Sequence, residues 1–145
     1  VWIVGQYVPP EIMAKAGKDV LIDNLKEDDE EGIKRAYFEA SVFVSPLKGP
    51  GGTRLKHFAA MAAKLPVVTT KVGAEGLGVV DDEHILVRND PEGLAEAAIH
   101  ILQDPAKAES LAENARRLVE EKYSWLKMGE YLDKIYERTA NVKKH

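Results

Sequence analysis

The sequence contains no cysteine. That excludes disulfides, thiolate metal sites and cysteine nucleophiles, and it fits a reducing, cytoplasmic setting. Aromatic residues make up only 7%, and no apolar run approaches the roughly 20 residues needed to span a membrane. No signal-peptide pattern stands at the N-terminus. The histidines, His57, His84, His100 and His145, are scattered without metal-ligand spacing, so no metal is expected. Positive charge is not in excess either. The formal net charge of -4 argues against a general nucleic-acid or acidic-membrane binder.

What is present is ordinary for a globular protein: 145 residues, 45% hydrophobic and 30% charged. One domain over 1–145, with a helical tail at 105–140, suits this length. No repeat, low-complexity stretch or linker interrupts it. The chain opens inside a strand-like run rather than on methionine, and is expected to be part of something longer.

Strand and helix patterns alternate along the chain. Strands are expected at Val1–Gly5 (VWIVG), Asp19–Asp23 (DVLID), Ser41–Ser45 (SVFVS), Pro66–Thr70 (PVVTT) and His84–Arg88 (HILVR). Between them, Pro9 and Pro10 open a short helix that Gly17 ends. The acidic run Glu27–Glu31 precedes an amphipathic helix at Gly32–Ala40, where negative charge meets the positive end of the helix dipole. Thr53–Lys64 reads as a helix with Leu55, Phe58, Ala59 and Ala62 facing the sheet. Lys71–Gly78 reads as a loop. Asn89-Asp90-Pro91 caps a helix at about 91–103. The remaining helix breaks near Asp104-Pro105 and again at Tyr123-Ser124, before a last helix at Trp125–Ala140. In that tail Tyr123, Trp125, Leu132, Ile135 and Tyr136 are expected to face a core. Apolar strands alternating with helices imply a parallel sheet covered on both faces, an α/β doubly wound sandwich.

In such sheets ligands bind beyond the carboxyl ends of the strands. The stretch KGPGGTRLK lies there, between the third strand and its helix. Gly49, Gly51 and Gly52 let backbone N–H groups approach an anion, and the helix start near Thr53 to Lys56 adds donors and dipole. Arg54 offers a planar fork and Lys56 a mobile charge. The stretch matches neither the P-loop nor the GxGxxG pattern. On chemistry alone it is a phosphate cradle or a structural turn with solvated cations. His57 reads as a surface or packing residue. The second loop, KVGAEGLG, opens on the same edge, where Glu75 brings a carboxylate suited to sugar hydroxyls, or stands solvated in a turn.

Taken together, PLKGPGGTRLKHFAAMAAKLPVVTTKVGAEGL, HILVRNDPEGLAEAAIHIL, NARRLVEEKYSW and YLDKIYE resemble the C-terminal, donor-binding half of group 1 (family 4-like) retaining glycosyltransferases of the GT-B fold. The motifs occur in the family's order and spacing across nearly the whole chain. The resemblance implies a nucleotide-diphosphate sugar as donor, an acceptor hydroxyl, no metal cofactor and a separate N-terminal acceptor domain. Gly51, Gly52, Thr53 and Arg54 would lie near the diphosphate. Leu55 and Lys56 would continue that helix start, and Gly73, Ala74 and Glu75 would line the same cleft. No catalytic group is singled out.

The chain departs from the family pattern at four points. Gly51 and Ala59 occupy positions where many members carry glutamates for the sugar and the ribose. Lys64 stands where a helix-ending glycine is usual. The family's first, central strand and its basic loop would precede Val1. Without that strand the remaining five are expected to close up in the order 2-1-3-4-5 as one flavodoxin-like parallel sheet. The isolated chain is then expected to be inactive, and its last helix to expose apolar surface suited to self-association. A non-catalytic phosphate-binding or protein-interaction module is the alternative. A sugar-nucleotide epimerase of related fold fits the tail less well.

Overall fold

The computed structural model describes residues 1–49 and 54–142. The chain separates into two compact units, Val1–Ala40 and Ser41–His145.

The first unit contains β1 (Trp2–Gly5), α1 (Pro10–Met13), β2 (Leu21–Asn24) and α2 (Glu30–Glu39). The strands pair in parallel, from Trp2 opposite Leu21 to Gly5 opposite Asn24. The acidic run does more than precede α2. Asp29 caps it, accepting from Gly32 N–H at 2.8 Å, while Glu30 and Glu31 form its first turn. A polar clamp adds to this: the Asp23 carboxylate accepts from Trp2 Nε1 at 3.2 Å and from Arg35 Nη2 at 3.0 Å.

The second unit contains β3 (Phe43–Ser45), α3 (Leu55–Ala62), β4 (Val67–Thr69), α4 (Lys71–Ala74), β5 (Leu86–Val87), α5 (Pro91–Gln103), α6 (Pro105–Tyr123) and α7 (Trp125–Val142). Its parallel sheet has the order β3-β4-β5. β4 is central and every residue of it is buried, as its apolar PVV run requires. Helices α3 and α5 pack on β4, and α6 packs on both helices. Val68, Leu86, Leu94, Ala97, Ile101 and Leu111 form one buried cluster. The helix starts fall where the sequence places its caps: Asp90 accepts from Gly93 N–H at 2.7 Å, and Asp104 from Lys107 N–H at 3.0 Å.

Three expectations need correcting. The α/β class and the pairings 2-1 and 3-4-5 hold, but the sheets number two, of two and three strands. Among the described residues no ladder joins β1 to β3.

The second correction concerns α3. Its buried face is His57, Ala60 and Met61, whereas Leu55 is 68% exposed and Ala59 and Ala62 face solvent. Positions 57, 60 and 61 are also a helical stripe. The helix is apolar nearly all round, so periodicity alone left its phase open, and bulky Met61 settles on the sheet.

The third concerns the tail. Tyr123 is partly buried, but Trp125 is 93% exposed, Tyr136 70%, and Leu132 and Ile135 are open too. Helix α7 contacts α6 and keeps its large side chains in the open. Among the described residues no helix is long and apolar enough to cross a membrane.

Candidate functional site

The residues expected to hold a ligand divide into three groups. Gly51, Gly52 and Thr53 lie outside the described residues. Arg54, Leu55 and Lys56 begin α3, with Arg54 as N-cap and Leu55 and Lys56 exposed. Gly73 and Ala74 end the helical turn α4, and Glu75 follows it, exposed. The stretch read as a loop therefore starts with a turn of helix. Thr70 causes this turn: its Oγ1 accepts from Gly73 N–H at 3.1 Å and caps α4.

The structure brings the second and third groups together. Arg54 Nη2 donates to the Val72 carbonyl at 2.9 Å, so the start of α3 is tied to the α4 turn. Sequence reasoning gave this guanidinium to a phosphate or to solvent, and its tethering role was missed. Both turns follow the carboxyl ends of adjacent parallel strands, β3 and β4.

Two threonines lock this edge. Thr69 Oγ1 donates to the Ser45 carbonyl at 2.8 Å, and Thr70 Oγ1 to the Leu47 carbonyl at 2.6 Å. Thr69 Oγ1 also meets His57 Nε2 at 3.1 Å. A carbonyl only accepts, so the single Thr69 proton is committed to Ser45. The imidazole must then donate from Nε2, which leaves Nδ1 as a bare lone pair. Nδ1 is buried and has no hydrogen-bond partner among the described residues. Burial, and then the Arg54 charge, lowers the His57 pKa to about 4. The Phe43 and His57 rings meet nearly perpendicular at a centroid distance of 5.5 Å.

Gly73 is required by this packing. A Cβ there would stand 2.0 Å from Thr69 Oγ1 and 3.4 Å from His57 Nε2. Farther along, Gly76 and Gly78 take positive φ values of 78° and 63°, which favour glycine. Tyr123 Oη donates to the Leu77 carbonyl between them at 3.1 Å. Lys71 N–H donates to Asn89 Oδ1 at 2.9 Å, holding α4 to the segment after β5. Thr69, Thr70, Asn89 and Tyr123 were all missed as site supports. The signal available was the pair of hydroxyls ending an apolar strand, PVVTT.

The start of α3, like that of α1, has no side-chain cap, unlike those of α2, α4, α5 and α6. Asp29, Thr70, Asp90 and Asp104 each accept a bond from the first turn they cap. Arg54 offers the first turn of α3 a cation and no acceptor. Among the described residues no side-chain carboxylate or hydroxyl caps that end of α3, where the positive end of the dipole lies. Among the described residues no cluster of potential metal ligands exists.

A parallel α/β sheet with helix starts gathered at its carboxyl edge is the architecture of a Rossmann-like ligand-binding domain. Residues 1–104 match the family model of the glycosyl transferases group 1, and the chain belongs to that family. Among solved structures it resembles the C-terminal domain of a glycosyl transferase group 1 family protein from Francisella tularensis (26% identity, TM-score 0.68, covering 79% of this chain and 58% of that one). It also resembles sucrose-phosphate synthase from Thermosynechococcus elongatus (27%, TM-score 0.76, 97% and 38%). Anabaena Alr3699/HepE in complex with UDP shares the fold at 18% identity (TM-score 0.64, 82% and 32%). Spore coat protein SA of Bacillus subtilis is 28% identical over 109 residues, 73% of this chain and 29% of the relative. The chain thus has the fold of a GT-B C-terminal domain and spans under a third of the curated relatives it matches.

Proposed function

We propose that this chain binds the nucleotide-diphosphate sugar donor of a retaining glycosyltransferase. The observation that carries the reading is the start of α3, uncapped among the described residues and tied by Arg54 to the α4 turn at the carboxyl edge of the sheet. The helix end and Lys56 would stabilise negative charge that builds on the diphosphate as it leaves the sugar. Glu75 would accept from sugar hydroxyls. Gly51, Gly52 and Thr53 belong to the same proposed cradle, and Leu55, Gly73 and Ala74 line it. The UDP complex of a protein with this fold supports a nucleoside diphosphate as the ligand class.

In the whole enzyme an N-terminal domain would supply the acceptor site. The reaction on this reading is metal-independent and cytoplasmic. The isolated chain binds donor but transfers little or no sugar. Helix α7, with its open apolar side chains, is where either the second domain or another copy would pack.

A second reading has its own observations. Ala59 faces solvent without a carboxylate, and the Arg54 guanidinium is already engaged by a carbonyl. Both suit a non-catalytic phosphate-binding or protein-interaction module. Calorimetry with UDP, GDP and ADP separates the two. Saturable binding by the wild type, weakened several-fold by Lys56→Ala, supports the donor site. An absence of heat with every nucleotide at millimolar concentration supports the module. Measurable transfer from a nucleotide sugar by the purified chain would refute its inactivity.

A further inference from the structure

Among the described residues His57 is the one buried titratable side chain at this edge, and the proposed chemistry makes no use of it. It is 2% exposed and lies in the first turn of α3, three residues after the N-cap. That turn is tied once to the segment following β4 and once to the end of β4 itself. Arg54 reaches the Val72 carbonyl, and His57 reaches Thr69, whose hydroxyl continues to Ser45 at the end of β3. Thr69 and Gly73 in turn fit together only because residue 73 lacks a side chain. The bonds therefore run from α3 through β4 to β3, and the α4 turn packs directly against them.

We propose that His57 is a positioning residue for the donor: its Nε2–H bond to Thr69 sets the start of α3 against the α4 turn, so that the two grip one diphosphate. This rests on the donor-binding reading above. An apolar side chain of similar size would fill the space, so packing alone does not call for an imidazole here. The imidazole brings a buried Nδ1 lone pair with no partner among the described residues, an arrangement that costs stability. A residue kept for stability alone would not carry that cost. The ring is neutral at physiological pH, which keeps Nε2–H a plain donor and adds no charge beneath the diphosphate.

The test uses the full chain and four variants, read by thermal melting and by UDP calorimetry. His57→Leu removes the lone pair and the donor together. Its melting temperature should equal or exceed that of the wild type, while UDP affinity falls about tenfold, the equivalent of one lost hydrogen bond. Thr69→Val should weaken UDP similarly. His57→Gln and Thr69→Ser keep the donor and the hydroxyl, and should bind within about threefold of the wild type. A packing role moves melting and binding together, whereas positioning separates them. UDP affinity in His57→Leu within about twofold of the wild type overturns the proposal. If the wild type binds no nucleotide, the donor-binding reading fails instead, and the bond network is then read on its own by ¹⁵N NMR. An Nε2–H tautomer, with Val72 and Gly73 amide shifts that move in His57→Leu but not in His57→Gln, upholds the positioning. An Nδ1–H tautomer, or amides that do not move, overturns it.

Discussion

Residues 1–40 and residues 41–145 are both short parallel strands with helices between them, and they are stabilised differently. In the second unit Met61, Val67, Val68, Leu77 and Ile85 are wholly buried. In the first, the only buried residue among those described is Gly32. Ile3, Val4 and Ile22 are half-buried, and Leu21 is open. The first unit relies on the Asp29 cap and the Asp23 clamp. Such contacts contribute about 1 kcal/mol each, against about 1–2 kcal/mol of backbone entropy per ordered residue. A two-stranded sheet in about 40 residues does not stand alone on those terms. The difference teaches that regular hydrogen bonding and stability are separate properties.

Cutting the chain is the largest test of that difference. Residues 41–145 should melt cooperatively by circular dichroism, and residues 1–40 should show no transition at all. A cooperative melt from the short piece would break the comparison outright. Point substitutions in the intact chain come next. Met61→Ala should cost about 2–5 kcal/mol in urea denaturation. Ile3→Ala, at a half-buried site, should cost about 1 kcal/mol or less. Similar losses at the two positions would mean that the units share one core.

Glycines sharpen the same contrast. Gly73→Ala forces a Cβ onto Thr69 Oγ1 and should cost about 2–3 kcal/mol, with loss of nucleotide binding. Gly17→Ala, in the first unit, meets nothing within 4 Å and should change stability by less than about 0.5 kcal/mol. Equal effects would show that the α4 turn relaxes freely, and that the bonds from α3 to β3 do not constrain it.

A smaller effect follows from the buried imidazole. Burial holds the folded-state pKa of His57 at about 4, below the ordinary 6.5 of the unfolded chain. Between those values the unfolded state binds the extra proton. Stability is therefore nearly complete above pH 6.5 and declines as the pH falls below it, by about 2 kcal/mol at pH 5. His57→Gln should flatten that slope. The first unit has no buried histidine to match, so an unchanged slope in the variant would assign the acid sensitivity elsewhere.

The sequence made the strand–helix alternation legible because apolar runs such as PVVTT and caps such as Asn89-Asp90-Pro91 act locally. The donor-type motifs were legible for the same reason. Sheet continuity was not, since it depends on which edges find partners rather than on any one run. The phase of α3 escaped because Leu55, Ala59 and Ala62 form as good an apolar stripe as Ala60 and Met61 do. His57 was left between surface and packing: a polar ring is placed inside only once Thr69 is known to lie beneath it. Trp125 and Tyr136 were read inward because large apolar side chains usually are. Their exposure depends on what α7 packs against, which no local run encodes.

The smallest test compares one backbone strain in both units. Lys64 ends α3 at φ 57°, where the family usually has glycine, and Tyr7 sits at φ 53° in the first unit. Lys64 closes the helix with a wide bond from Leu65 N–H to the Ala60 carbonyl at 2.9 Å, a geometry that glycine enters freely. A side chain held at such φ costs about 1–2 kcal/mol. Against that, glycine loses more chain entropy on folding, by about 0.5–1 kcal/mol. Lys64→Gly should therefore stabilise the main transition by about 0.5 kcal/mol. It also removes an exposed ion pair with Glu113, worth little at such a site, and making the change in a Glu113→Gln background eliminates that contribution. Tyr7→Gly relieves the same strain where no apolar core is present to register it. The main transition should not move, and equal upward shifts from the two glycines would show that strain in the first unit is felt by the core of the second.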